Sequence, residues 1–269
     1  MVIEAGRMER HYWADLWRYR ELFYFLAWRD ILVRYKQTVL GVAWAVLRPL
    51  LTMLAFTVVF NKLAKLPAEG APYPVMVMAA LLPWQLFATG FAEAGNSLVS
   101  NANLVSKVYF PRLIVPTSTV VVSLVDFVIS LGLLALMMAY YGHAPGWQIL
   151  ALPFFIVLAL AAAIGAGLWT AALMVKYRDF RFVIPFVVQL GLYVSPVGFS
   201  SSLVPEQWRL LYSLNPMVGV IDGFRWCLLG GAPPLQWPSL AISVVLIAAV
   251  LAGGISFFRR TERSFADVI

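Results

Sequence analysis

The sequence predicts an all-α membrane protein with six transmembrane helices, and three observations lead to this prediction. Hydrophobic residues make up 62% of the 269 positions and charged residues only 12%, against roughly 45–50% and roughly 25% in a typical soluble domain. The apolar residues fall into six runs that reach the roughly 20 residues a membrane-spanning helix needs. The Lys and Arg residues, 20 against 13 Asp and Glu, are spread unevenly between these runs. A soluble enzyme and a disordered chain are therefore excluded.

The first predicted element is an interfacial helix over residues 12–36. Its aromatic side chains fall at helical spacing on one stripe, with basic residues roughly opposite. The stripe consists of Trp13, Trp17, Tyr24, Trp28, Ile31 and Tyr35. A helix with aromatic residues on one side and bases on the other suits the boundary between headgroups and acyl chains. Residues 1–38 are therefore assigned to a cytosolic N-terminal region that ends in this helix.

Six candidate spans follow, and each contains at most one charged residue. They are residues 39–60, 73–98, 113–141, 147–175, 182–204 and 237–258. The first three contain Arg48, Glu93 and Asp126 respectively, and the last three contain no charge. Runs of this length exclude barrel strands, which have about 10 residues of alternating polarity. Charged groups inside a span tend to face protein or water, so these three residues are candidates for function.

The orientation follows from the distribution of cations between the loops. With the N-terminus in the cytosol, 15 of the 20 Lys and Arg residues lie in cytosolic segments, and Arg48 lies inside a span. The outer segments contain four, namely Lys62, Lys65, Arg209 and Arg225. Basic loops remain in the cytosol, so both termini, including a tail over 259–269, are predicted to be cytosolic. Topology explains the positive charge, and no nucleic-acid partner is needed.

The long outer segment before the last span predicts two short re-entrant helices over about 205–229. The Asn215-Pro216 pair should break them, because this dipeptide favours a turn. Non-helical backbone at a membrane face is tolerated where it packs on protein or lines a cavity.

The sequence lacks the motifs of a self-contained pump or hydrolase. It contains no Walker A pattern, no G-x-S-x-G and no H-E-x-x-H. His11, His143 and Cys227 are not spaced as metal ligands, so no metal site is expected. The chain is therefore interpreted as a channel, a carrier or the membrane half of a system that another protein powers, and not as an enzyme.

Three groups of residues occur in a characteristic order along the chain. They are residues 29–36 followed by Leu40-Gly41, Trp44 and Arg48-Pro49; residues 176–181; and Ser195-Pro196 with residues 214–217 and 222–225. Over nearly the whole chain they resemble type-2 ABC exporter permeases, most closely the subfamily that exports O-antigen, capsule or teichoic polysaccharides. The resemblance implies a homodimer in the bacterial inner membrane, paired with two copies of a separate ATPase that binds ATP and Mg. No cofactor is expected in this chain.

The resemblance also implies a substrate, a polysaccharide on undecaprenyl diphosphate, with O-antigen the first choice. The diphosphate needs cations near the cytosolic membrane face, and Arg34, Lys36 and Arg48 flank the Leu40-Gly41 turn. For Arg34 and Lys36, contact with lipid headgroups is an equal alternative.

Glycan rings need flat apolar faces to slide along, which aromatic side chains supply. The candidates for a channel lining are Trp84, Phe87, Trp169, Phe186 and Tyr193. Contact with lipid or with neighbouring helices explains each of them at least as well.

Coupling to an ATPase needs a rigid cytosolic contact, and residues 100–111 are predicted to form a coupling helix. Asn101 or Asn103 would cap it and Pro111 would end it. The predicted contact residues are Asn103, Val105, Lys107, Tyr109 and Phe110, with Asp179 as a weaker candidate. An ordinary loop between spans is the alternative.

Two other functions stay open at this point. One is a type-2 exporter of drugs or lipids, with the same fold and a narrower apolar cavity. The other is a proton-coupled carrier that works without an ATPase and uses Glu93 and Asp126 as proton-binding groups.

Overall fold

The computed structural model describes residues 12–36, 41–68, 70–262 and 265, and within these ranges the chain is helical without β-strands. The α-helices are α1 (Tyr12–Arg18), α2 (Arg20–Lys36), α3 (Gly41–Phe56), α4 (Tyr73–Ser100), α5 (Ala102–Lys107), α6 (Ile114–Tyr140), α7 (Leu152–Lys176), α8 (Phe180–Val194), α9 (Glu206–Tyr212), α10 (Met217–Leu228) and α11 (Trp237–Thr261). A π-helical segment, Thr57–Leu63, continues α3. The predicted turn residue Leu40 and most of the tail over 259–269 lie outside the described residues. The all-α prediction is confirmed.

Five helical segments are long and apolar enough to cross a membrane. They are Ala43–Leu63, Tyr73–Ser100, Ile114–Tyr140, Trp147–Lys176 and Trp237–Thr261. They match the first, second, third, fourth and sixth predicted spans. The membrane character of the chain therefore rests on elements that the apolar runs located correctly.

The fifth predicted span is shorter than expected. Helix α8 has 15 residues, which is about 22 Å at 1.5 Å per residue, against a hydrocarbon core of about 30 Å. It ends because Ser195 precedes Pro196 and takes an extended backbone, as residues before proline do. The prediction of a helix through to residue 204 is wrong beyond Val194, and the six-span count stays a prediction.

Helix α4 is the centre of the bundle and is almost entirely buried between α6, α7, α10, α3 and α8. Small residues allow this close packing. A Cβ at Gly167 on α7 would come within 2.5 Å of the Ala94 Cβ on α4. A Cβ at Gly165 would come within 2.8 Å of the Leu251 backbone on α11. Close backbone approach at small residues is how helices associate inside a bilayer, so α4, α7 and α11 form a closely packed group.

The two short helices predicted between the last two spans are present, broken between Tyr212 and Met217 as the Asn-Pro pair indicates. Helix α9 is exposed, whereas α10 is buried against α4, α7 and α11. Arg225 on α10 is completely buried and donates to the carbonyls of Val197, at 3.0 Å, and Phe199, at 2.8 Å. The backbone that follows α8 is thereby fixed to the bundle.

Helix α2 packs on α6 and exposes part of the predicted aromatic stripe. Leu26 is buried, whereas Tyr24 and Trp28 on α2 and Trp17 on α1 are exposed. Tyr35, at the end of the stripe, is partly buried instead. An outward aromatic face agrees with the interfacial helix predicted here, although its place in the membrane stays a prediction.

The start of α1 and the end of α11 meet beside the loop that follows α5. The Tyr12 hydroxyl donates to Glu262 at 3.1 Å, and the Arg259 guanidinium lies 4.6 Å from the centre of the Tyr12 ring. Arg112 donates to the Glu262 carbonyl. These elements share one end of the bundle, as the predicted topology requires, and which side of the membrane this end faces stays a prediction.

Candidate functional site

A cavity of about 270 Å³ lies between α2, α3, α4, α6 and α8. Its polar lining comes from four of these helices, and Trp44, Trp84 and Phe127 form aromatic walls. The polar residues are Arg34, Tyr35, Arg48, Thr52, Gln85, Thr89, Ser123, Asp126 and Ser130. The cavity combines two cations, a carboxylate, hydroxyl groups and flat aromatic faces, a set that suits an anionic ligand with sugar-like hydroxyls.

Helical spacing brings these side chains to one place. On α3, Trp44, Arg48 and Thr52 recur every four residues and so share a face. On α4, Gln85 and Thr89 do the same, and Glu93 follows one turn later. On α6, Ser123, Asp126 and Ser130 are three and four residues apart. The sequence analysis found the charged members and missed the neutral polar ones, which the same spacing would have revealed.

Arg34 bridges two acidic residues on different helices. Its Nη2 lies 3.3 Å from Glu93 Oε1 on α4, and its Nη1 lies 3.3 Å from Asp126 Oδ2 on α6. The neighbouring Tyr35 hydroxyl donates to Asp126. Burial, and then this contact with Asp126, raise the pKa of Tyr35, so the hydroxyl stays protonated and remains a donor. The predicted diphosphate ligand Arg34 is thus already engaged with carboxylates.

Arg48 differs from Arg34 because it forms no ion pair with any carboxylate in the part of the chain that the structure describes. It lies on α3 just before Pro49, which cannot donate a backbone hydrogen bond to the Ala45 carbonyl. Both Ala45 and Arg48 line the cavity. Lys36, the third predicted cation, is exposed at the end of α2 and does not line the cavity.

Two of the predicted channel aromatics on α4 lie inside the subunit. Trp84 is 4% exposed, and its ring fills the space where a Cβ at Gly191 of α8 would lie. Phe87 lies 5.5 Å from Trp84 and stacks on Phe91 at 5.7 Å. Trp84 therefore forms a wall of the cavity, and Phe87 packs behind it.

Trp169 belongs to the packing of α7 on α11. Its indole N–H donates to the Val250 carbonyl at 3.2 Å, and its ring stacks on Phe257 at 4.6 Å. Phe186 and Tyr193 on α8 are the most exposed of the five predicted channel aromatics, at 64% and 60%. The five aromatics thus occupy three different surroundings and do not form one surface within the subunit.

The predicted coupling segment is a shorter helix than expected, because α5 covers only Ala102–Lys107. Asn101 does not cap it; its side chain accepts from Arg29 at 2.8 Å and donates to the Ser97 carbonyl. Val105 and Phe110 are 1% and 5% exposed and pack in the subunit core with Leu98. The expectation that these two enter a partner is wrong, since the fold already uses their apolar surface.

Four of the predicted coupling residues do face outward. Tyr109 is 57% exposed, and Asn103, Lys107 and Asp179 are also exposed. Val108, next to Tyr109, is half exposed. Val108 and Tyr109 thus form an exposed tip of the segment, which the buried side chains of Val105 and Phe110 anchor in the core. Among the described residues, no group of three or more His, Cys, Asp or Glu side chains is placed to hold a metal ion.

Known proteins resemble this chain over most of its length. Residues 21–229 match the ABC-2 type transporter family. The chain is 28% identical to the O-antigen export system permease protein RfbA of Myxococcus xanthus over 95% of this chain and 98% of the relative. It is 24% identical to the protein of the same name from Klebsiella pneumoniae, over 90% and 92%. It is 24% identical to the inner membrane transport permease YadH of Escherichia coli, over 75% and 82%.

The family match spans α2 to α10, and so includes every helix that lines the cavity. The alignments with the relatives named for O-antigen export extend over nearly the whole length of both chains. The likeness therefore involves the complete sequences and not a single motif. This chain belongs to the ABC-2 type transporter family.

Proposed function

We propose that this chain is the membrane subunit of an ATP-driven exporter for a polysaccharide carried on a lipid diphosphate, with O-antigen the first candidate. Permeases of this family normally work with an ATPase subunit, and two relatives are named for O-antigen export. The proposed setting is a bacterial inner membrane with both termini cytosolic. Residues 1–38 form the interfacial region, 39–258 the transmembrane domain and 259–269 the tail.

The observation that carries the proposal is Arg48. A cation inside an apolar helix is costly unless it has a partner, yet Arg48 has no carboxylate partner among the described residues. It faces a cavity whose other lining includes hydroxyl groups and two indole rings. A guanidinium binds phosphate oxygens through two parallel hydrogen bonds. Arg48 is therefore the proposed ligand of the diphosphate.

The proposed path of the sugar chain runs between two copies of this subunit. On α8, Phe182, Phe186, Gln189 and Tyr193 recur every three or four residues, and all are exposed. Three aromatic rings and one amide on this face offer stacking and hydrogen bonds to a glycan. Membrane lipid would cover a purely apolar face equally well. Gln189 favours a surface in contact with water, because a polar side chain is costly in contact with lipid. A long polymer needs a continuous channel, which two facing copies of this subunit would enclose.

The proposed contact with the ATPase is the tip formed by Val108 and Tyr109, with Asn103, Lys107 and Asp179 around it. ATP and Mg would bind to the partner, and closure of the two ATPase copies would push on this tip. Because Val105 and Phe110 anchor the tip in the core, the push would pass directly to the ends of α4 and α6.

The test is lipid-diphosphate binding and stimulation of ATP hydrolysis by the reconstituted complex, with undecaprenyl diphosphate as the probe. Hydrogen bonds to charged groups contribute roughly 1.5–3 kcal/mol, so Arg48→Ala should weaken binding by at least about tenfold. Arg48→Lys should retain part of the affinity, because an ammonium keeps the charge and loses the two-pronged geometry. Lys62→Ala, an exposed cation at the far end of the same span, is the matched control and should bind normally.

Equal binding by Arg48→Ala and wild type would refute the assigned site. An exporter of drugs or small lipids would instead show stimulation by those compounds and none by undecaprenyl diphosphate. A proton-coupled carrier would transport without an ATPase and would stop with Asp126→Asn. In cells, deletion should leave lipid-linked glycan in the cytosolic leaflet, and normal surface glycan would contradict export.

A further inference from the structure

Four charged side chains meet at the cavity, and their formal charges cancel. Arg34 and Arg48 are the cations, and Asp126 and Glu93 are the anions, with Glu93 just outside the lining on α4. The formal charges of these four side chains therefore sum to zero, although both arginines line the cavity. An anion that enters the cavity is fully attracted by Arg34 only if Arg34 separates from the carboxylates with which it is paired.

The contacts of Arg34 are of the kind that a competitor can replace. Both of its distances to carboxylate oxygens are 3.3 Å, longer than the roughly 2.7–2.9 Å of a tight charge-assisted hydrogen bond. All three side chains are partly exposed. Partly exposed ion pairs contribute little to stability, so exchange of one anion for another is within reach of a strong ligand.

The same contacts join three helices. Glu93 is on α4 and Asp126 on α6, whereas Arg34 and Tyr35 are on the last turn of α2. Earlier on α2, Arg29 donates to Asn101 at the junction of α4 and α5, and it also pairs with Asp30. Helix α2 is therefore attached at one point beside the cavity and at another beside the proposed coupling segment.

Resting on the proposed function, we propose that Glu93 and Asp126 form a latch on Arg34 that a lipid diphosphate displaces, and that this competition makes the cavity selective for diphosphate over single-phosphate headgroups. With the latch closed, Arg34 is withheld from ordinary phospholipids. A diphosphate carries more charge and more acceptor oxygens than a phosphodiester, so it gains enough from Arg34 and Arg48 together to replace both carboxylates. The end of α2 is then free to move away from α4 and α6.

The selectivity test uses the complete permease–ATPase complex in neutral vesicles. The probes are undecaprenyl diphosphate, phosphatidylglycerol and sodium pyrophosphate, and the readout is the concentration of each that gives half-maximal stimulation of ATP hydrolysis. Wild type should respond to undecaprenyl diphosphate and hardly to phosphatidylglycerol. In Glu93→Gln/Asp126→Asn, Arg34 is available to any phosphate, so the preference for the diphosphate should fall at least about tenfold. Pyrophosphate acting at the same concentration as the lipid would overturn a lipid headgroup as the source.

Two further variants separate selectivity from folding. Glu93→Gln alone leaves the Asp126 contact in place and should give an intermediate loss of preference. Glu206→Gln removes an exposed acid whose partner Arg209 lies 3.6 Å away on α9, and it should match wild type. If the double variant does not fold, the single variant carries the test.

Opening of the latch is measured directly as a distance. Spin labels at Lys36→Cys on α2 and Val128→Cys on α6, with Cys227→Ala to remove the native thiol, should separate when undecaprenyl diphosphate is added. An unchanged distance, or a double variant that keeps wild-type preference, overturns the latch while leaving the Arg48 site intact. Failure of undecaprenyl diphosphate to bind wild type instead refutes the proposed function.

Discussion

Arg225 and Arg48 are both arginines within apolar helices, and the protein treats them in opposite ways. Arg225 on α10 is completely buried, and its Nη atoms donate to the carbonyls of Phe199 and Val197. Arg48 on α3 is exposed to a cavity and has no carboxylate partner among the described residues. The first holds the backbone together, and the second is available to a ligand.

A similar difference exists between α8 and the segment that follows it. Its C-terminal continuation, residues 195–200, is held by Asn215, Arg225 and Tyr73. Along its length α8 is mostly exposed, with Ile184 its one buried side chain. Helix α8 is therefore held by hydrogen bonds just beyond its C-terminal end and elsewhere by packing on α4 and α7. The comparison thus separates a structural region around α10 from the region around the cavity.

The largest expected effect is from Arg225→Met, which keeps the side-chain volume and removes the donors. The carbonyls of Val197, which is buried, and of Phe199, which is partly buried, lose their partners, at about 1–3 kcal/mol each. Asp222, buried one turn earlier on α10, also loses a nearby cation. We expect a large drop in the free energy of unfolding in micelles and poor recovery of folded protein.

The matched control for Arg225 is Arg209→Met, because Arg209 also donates to a backbone carbonyl, that of Val204 at 3.0 Å, but is only half buried. Its effect should stay below about 1 kcal/mol. Comparable losses in the two variants would show that burial does not distinguish the two arginines.

A second prediction applies the same contrast to neighbours in the coupling segment. Phe110→Ala removes a buried ring and should cost about 3–5 kcal/mol of stability. Tyr109→Ala removes an exposed one and should change stability by less than about 0.5 kcal/mol, yet uncouple transport from ATP hydrolysis. Thermal unfolding and the ratio of polymer exported to ATP hydrolysed measure the two effects. A destabilised Tyr109→Ala, or full coupling in that variant, would contradict the assignment.

Hydrophobic runs predicted the long helices well because the ability of a helix to span a membrane depends on its length and apolar composition, which the sequence gives directly. Five of the six predicted spans and both helices around Asn215 were located from apolar length and one turn signal. Helix α8 was over-extended because apolar composition continues past Val194, while the backbone restriction before Pro196 ends the helix. The backbone restriction at Ser195 therefore ended the helix, although hydropathy had predicted that it would continue through the next ten residues, 195–204.

The site was predicted in part for a similar reason. Arg48 and Asp126 stand out because a charge in an apolar run is rare, and both line the cavity. Whether an aromatic ring faces a channel or a neighbour depends on tertiary packing, so Trp84, Trp169 and Phe186 looked alike in sequence and differ in structure. The engagement of Arg34 by Glu93 joins residues 59 positions apart, which composition cannot reveal.

The last prediction concerns Asn215, which makes two hydrogen bonds at the turn before α10. Its Nδ2 donates to Ser195 Oγ at 2.9 Å, and its Oδ1 accepts from the Met217 N–H at 3.0 Å. Asn215→Ala should cost about 1–2 kcal/mol, as loss of a helix-start acceptor with one further bond does. Asn215→Asp keeps the acceptor for Met217 and should recover about half. A double-mutant cycle with Ser195→Ala isolates the bond to the end of α8, and a coupling energy near zero would mean that Arg225 and Tyr73 alone fix that end. A measurable coupling would instead show that the bond from Asn215 helps to hold the C-terminal end of α8, in addition to the bonds from Arg225 and Tyr73.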